Sequence, residues 1–217
     1  MIRSALLLVT IISFFVGCNS TSKKESTSIE LPFYNQADYT PEWIEPDDPK
    51  YDKIHTISPF KFVNQNGDTI SNEAFDGKVY ATNFFFSVCP NVCPKMKKSL
   101  SLVQDRYLED DRVKILSHTV MPWVDSVGRL NEYAVQNDIN SKKWDLVTGK
   151  KDAIYKLARE SYFADEGFDK TLTSEEDFLH TENVVLVDQK RRIRGVYNGT
   201  LPLEMERMME DIETLLK

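Results

Sequence analysis

The stretch KVYATNFFF, Lys78 to Phe86, constrains this chain more than any other. It lacks the polar–apolar alternation that a single solvated face imposes, so it predicts a strand covered on both sides. A strand of that kind needs other elements packed above and below it, which points to an α/β architecture. Directly after it comes SVCPNVCPKM, in which Cys89 and Cys93 are separated by three residues and each is followed by proline. From the residues alone, the pair is open to three readings: a redox couple, a structural disulfide, or two ligands of a metal.

The surrounding pattern alternates strands and helices. His55 to Val63, the Asn66-Gly67-Asp68 turn and Thr69-Ile70 read as a hairpin, with Asn-Gly supplying positive φ angles. Pro94 to Leu108 reads as a helix because Met96, Leu100, Val103 and Tyr107 recur at helical spacing. Arg112–Val120 and Trp144–Val147 read as further strands, and Val124–Gln136 and Ala153–Ser161 as further helices. Asn183–Val187, the turn Asp188-Gln189-Lys190 and Ile193–Tyr197 make a second hairpin, followed by a closing helix over Leu203–Leu216. A βαβ unit followed by a ββα unit is the order of a thioredoxin-like sandwich with a central mixed sheet, here with an N-terminal β-hairpin. That order puts the cysteines at the carboxyl end of a central strand and the start of its crossover helix, where open α/β sheets hold their sites. Since residues before proline avoid the helical region, both cysteines are expected to precede the regular helix. Free amide donors and the helix dipole would then make both sulfurs anionic.

The chain ends divide differently. Residues 1–17 have a short positive start, an apolar run over Ala5–Val16 and a small residue before Cys18, the pattern of a lipoprotein-type export signal. Cys18 would be lipidated, residues 18–38 would form the anchored tether and N-terminal extension, and residues 39–217 the domain. The protein is then expected on a bacterial cell membrane, with its domain in the periplasm or extracytoplasmic space. With Cys18 so assigned, Cys89 can pair only with Cys93. A disulfide closing so short a loop contributes about 2 kcal/mol, and a domain of this size does not need it, which favours chemistry. The net charge of −7, with no basic stripe, argues against a nucleic-acid partner.

Three intervening residues, against two in thioredoxin-type reductases, let the sulfurs diverge around an ion. The chain also has no proline between Pro122 and Pro202, where such reductases carry one just before the terminal hairpin; it has Phe178-Leu179-His180-Thr181 instead. Two thiolates and one imidazole suit Cu(I), and also Cu(II) or Zn(II). The carboxylates of the Ala164–Asp177 loop read as solvated surface, His55 and His118 as structural residues, and Met121 as core.

The run FFFSVCPNVCPKM, the strand RVKILSHTV and the segment FLHTENVVLVDQKRRIRGVYNGT with its histidine resemble the Sco family, also called SenC or PrrC, from about Phe60 to the C-terminus. The resemblance implies a membrane-tethered, thioredoxin-like copper chaperone that helps assemble the dinuclear copper centre of cytochrome c oxidase. It carries the copper ligands to Cys89, Cys93 and His180, and implies a copper-receiving oxidase subunit as partner. Family members usually have Val-Asp-Pro where this chain has Val120-Met121-Pro122. The alternative within the same resemblance is a dedicated thiol-disulfide oxidoreductase using the Cys89–Cys93 pair. A peroxidase-like enzyme would need a Thr-x-x-Cys context, which Ser87-Val88-Cys89 does not supply, and a zinc module would be colourless and indifferent to redox state.

Overall fold

Seven strands make one mixed sheet in the computed structural model, which describes residues 30–164 and 181–217. The export signal, Cys18, the acidic stretch from Asp165 to Asp177 and His180 lie outside the described residues. A small antiparallel pair comes first, β1 (Phe33–Tyr34) with β2 (Pro41–Glu42). Then follow β3 (Lys61–Asn64), β4 (Thr69–Ser71), β5 (Val79–Phe85), α1 (Val92–Arg106), β6 (Val113–Thr119), α2 (Val127–Gln136) and β7 (Trp144–Thr148). The chain closes with α3 (Lys151–Glu160), β8 (Asn183–Val187), β9 (Ile193–Asn198) and α4 (Pro202–Leu215). The large sheet runs in the order β4-β3-β7-β6-β5-β8-β9.

β5 is central, as its unbroken apolar run requires. It pairs in parallel with β6, from Val79 opposite Val113 to Phe85 opposite Thr119, and antiparallel with β8, where Thr82 faces Val185. Every residue of β5 is buried. Val79, Ala81 and Phe85 face a core built on Met96, Leu100 and Val103 of α1, Leu130 of α2 and Met205, Met208 and Ile212 of α4. Tyr80 and Phe84 face the opposite core, formed with Phe60, Phe62, Phe75 and the α3 residues Ile154, Tyr155 and Leu157. The sheet therefore separates two apolar layers, which is the thioredoxin-like sandwich expected.

The first hairpin differs from its expected form. The strand starts at Lys61, not His55, because Pro59 has no N–H to give a ladder and Phe60 donates instead to the Asn72 side chain. Of the Asn-Gly pair, only Gly67 has positive φ, at 85°. Asn64 closes the loop, its side-chain oxygen accepting from the N–H groups of Asn66 and Asp68 at 3.0 and 2.9 Å. The β1–β2 pair packs on β9: Leu31 and Phe33 are buried, and the Arg194 guanidinium lies 4.0 Å from the Phe33 ring centroid. Arg194 also donates to the carbonyls of Leu31 and Pro32. Among the described residues no helix is long and apolar enough to cross a membrane.

Candidate functional site

β5 delivers the chain to the site. Beyond Phe85 the backbone turns through Phe86 to Asn91, with the Cys89 N–H donating to the Phe86 carbonyl at 3.2 Å. Helix α1 then begins at Val92, so Cys93 is its second residue and Pro94 its third. The expectation that both cysteines precede the helix therefore holds for Cys89 and fails for Cys93. Proline fits the first turn because the N–H it lacks would have no intrahelical acceptor there, and this outweighs the bias it places on the preceding residue.

The two sulfurs consequently differ. Cys89 is half-buried and Cys93 buried, and both are free thiols. The Cys93 N–H donates to the Cys89 sulfur at 3.4 Å. Burial pushes the Cys89 thiol up, but donors around it, the N–H groups of Cys93, Asn91 and Val92 and the Cys93 side chain, outweigh that and hold its pKa below 9.0. Burial pushes Cys93 up to about 12, and the neighbouring Cys89 sulfur adds to the rise. The pair is one thiolate-prone sulfur beside one protonated thiol, which corrects the expectation of two anions. Cys89 has the character of a nucleophile; Cys93 must lose its proton before it can hold a metal.

A buried carboxylate that the sequence reading passed over fixes this turn. Asp125 accepts from the Ser87 N–H at 3.1 Å, from the Ser87 hydroxyl and from the Thr119 hydroxyl. Thr119 in turn accepts from the Met121 N–H at 3.0 Å, and Arg129 donates to the Ser87 oxygen at 3.2 Å. One side chain thus ties the loop before Cys89 to the loop after β6. The signal available was an isolated carboxylate between Val124 and Ser126, just after an apolar strand. Helical periodicity absorbed it into Val124–Gln136, whereas α2 starts only at Val127, with Ser126 as its cap.

The other candidates are structural where they are described. His55 bonds the Ser161 carbonyl at 2.8 Å, His118 is fully buried on the far face of the sheet from α1, and Met121 packs half-buried against the second core. His180 lies outside the described residues, and among those described no three metal-binding side chains come together.

Comparison with known proteins agrees with this geometry. The SCO1/SenC family model matches residues 48–217. The chain belongs to the SCO1/SenC family. A curated family relative, the SCO1 protein homolog of Bacillus subtilis, is 26% identical over 162 residues, covering 74% of this chain and 82% of its own. A crystal structure of a SCO1/SenC family lipoprotein from Bacillus anthracis superposes with a TM-score of 0.65 at 24% identity, covering 75% of this chain and 96% of the other. BsSco, described as a member of the Sco family of cytochrome c oxidase assembly proteins with a disulfide switch, gives 0.62 at 25% identity, covering 75% and 94%. The copper-bound ScoI of Bradyrhizobium japonicum gives 0.58 at 22%, covering 74% and 99%. These SCO1/SenC neighbours share the sandwich that holds Cys89 and Cys93 at the end of β5.

Proposed function

We propose that this chain is a copper chaperone that takes up one copper ion through Cys89, Cys93 and His180 and helps assemble the copper centre of cytochrome c oxidase. The observation that carries the reading is the pair of free thiols at the carboxyl end of β5, in a chain of this family. A copper-bound ScoI with the same sandwich supports copper as the cargo. Support for His180 as third ligand comes from its neighbours: β8 enters the sheet at Asn183, beside β5 and at the end where Cys89 lies. Lipidated Cys18 would hold the domain at an extracytoplasmic membrane face, a layout supported by the lipoprotein among its relatives. The receiving partner is the copper-binding subunit of a respiratory oxidase.

Ligand chemistry sets the order of events. Cys89 is the first sulfur to meet an incoming ion, because it is the more exposed and the more readily deprotonated. Cys93 then releases a proton as it binds, so uptake weakens as pH falls. The imidazole closes the site and is the ligand most easily displaced by a receiving protein. Oxidation of the pair to a disulfide removes two electrons and both protons, and with them the anionic donors.

The unequal thiols also favour a second reading, a dedicated disulfide reductase. In that reaction the Cys89 thiolate attacks a partner disulfide, releasing one partner thiolate and forming a mixed disulfide. Cys93, once deprotonated, attacks the Cys89 sulfur, releasing the second partner thiolate and leaving Cys89–Cys93 oxidised. Copper(I) titration of the reduced domain with Cys89→Ser, Cys93→Ser and His180→Ala separates the two. One equivalent bound by the parent and weakened by all three substitutions is the expected result. Unchanged binding by His180→Ala removes the histidine from the site and favours the reductase.

A further inference from the structure

The rim around the thiols carries most of the large apolar side chains that the described protein leaves in water. Seven are exposed, and four of them, Val88, Trp123, Leu201 and Leu203, belong to loops or helix starts at the Cys89 end of the sheet. Val88 adjoins Cys89. Trp123, 59% exposed, lies in the loop after β6 that Asp125 ties to Ser87. Leu201 and Leu203, 50% and 67% exposed, follow β9, whose last residue, Asn198, pairs with Asn183 at this same end. The loop between them and β9 rests on α1: a Cβ at Gly199 would stand 3.1 Å from the Met96 methyl group. Trp123 and the leucines thus flank Cys89 from β6 on one side and β9 on the other. Three strand spacings of about 4.8 Å put them across a patch of roughly 15 Å, the scale of the centre of a protein interface.

Among the described residues, cations outnumber carboxylates along the border of this patch. Lys95 and Lys98 are exposed on the first two turns of α1, Arg129 is exposed beside Ser87, and Lys150 is exposed at the start of α3. None of these four appears in an ion pair among the described residues; of the carboxylates at this end, Glu204 is held by Arg207 at 2.7 Å, Glu182 accepts only from the neutral Asn198 amide, and Asp152 is exposed in the first turn of α3. Among the described residues the border is therefore basic on balance, on a chain of net charge −7, which makes it a local feature and not an echo of overall composition.

We infer that this rim is a protein-docking surface for a copper-receiving partner whose apolar contact patch is bordered by carboxylates. The inference rests on the proposed function, since a docking surface centred on Cys89 brings the partner's own ligands to the sulfurs. A second copy of the chain fits poorly, because it would set one basic border against another. A bilayer fits poorly as well, because it would cover the thiols with nothing able to exchange a ligand.

The test uses the soluble domain and the metal-free copper-binding domain of the oxidase subunit from the same organism, with affinity measured by calorimetry. Trp123→Ser/Leu203→Ser and Lys95→Glu/Lys98→Glu should each weaken docking at least tenfold, as loss of interface anchors does. Val135→Ser, 73% exposed near the far end of α2, should leave it unchanged. Affinity of the parent should fall steeply as salt rises. Equal affinity across the set overturns the inference. So does parent binding to vesicles of phosphatidylcholine and phosphatidylglycerol in equal parts that the same substitutions abolish. Copper titration of the same proteins keeps the two ideas apart. Failure of the parent to take up copper sinks the ligand assignment, while failure of the rim variants to lose docking sinks only the surface.

Discussion

Among the described residues, neither ring nitrogen of His118 has a hydrogen-bond partner; the ring sits in a box of aromatic rings. Phe84 stacks on it at 5.2 Å, Phe60 and Phe62 meet it edge-on at 5.7 and 5.6 Å, and Tyr162 lies 5.7 Å away. Burial alone pushes its pKa down from 6.5 to about 3, so the folded protein keeps the imidazole neutral. The unfolded chain binds a proton there below about pH 6.5. Stability from this group is therefore fully present above pH 6.5 and is lost progressively as pH falls toward 3. His118→Phe should flatten that loss: in urea unfolding at pH 7 and pH 5, the drop between the two should be smaller for the variant. A parallel loss in both proteins would show that His118 does not titrate on unfolding. Nearly every residue of β6 is buried, so position 118 lies inside whichever face it takes, but a letter in a sequence does not say whether a buried histidine finds a partner.

At the scale of elements, the turn bearing Cys89 is held from outside itself. Asp125→Asn keeps the shape and removes the charge from a buried acceptor of three hydrogen bonds. It should cost about 2 kcal/mol in urea unfolding and weaken copper(I) uptake, since the loop before Cys89 loses its tie. Full stability in the variant would mean that Ser87 and Thr119 find other acceptors. Long elements were legible in the sequence: the run over Lys78–Phe86 became β5, and the Asn183–Val187 strand was placed to the residue. The places that misled are those where a neighbour distant in sequence decides. Proline's local bias put Cys93 outside the helix, yet the orphan donors of a first turn admit it. The docking of β1 through Arg194 depends on a guanidinium 162 residues away from Pro32, which no local pattern reports.

For the whole molecule, binding and folding are linked. A metal that binds the folded dithiol and not the unfolded chain adds about 4 kcal/mol when free copper(I) exceeds Kd a thousandfold. For a domain of this size that corresponds to a rise in Tm of roughly 10 °C. Thermal unfolding of the reduced domain with and without copper(I) should show this rise, and the Cys89–Cys93 disulfide form should show none. An equal rise in both forms would place the ion elsewhere. The fold was readable at this scale because alternating strands and helices leave few ways to cover a strand on both faces, whereas the pairing of Ser87 with Asp125 needed coordinates.

The two-layered core has a further consequence. Protons act on this protein in two separate compartments: the sulfurs lie under α1, and the His118 imidazole lies beneath the other side of the sheet among Phe60, Phe62 and Phe84. Two acidification series, cargo occupancy of the loaded domain and unfolding midpoint of the copper-free domain, should therefore give two independent curves, and exchanging His118 for phenylalanine should move the second and leave the first in place.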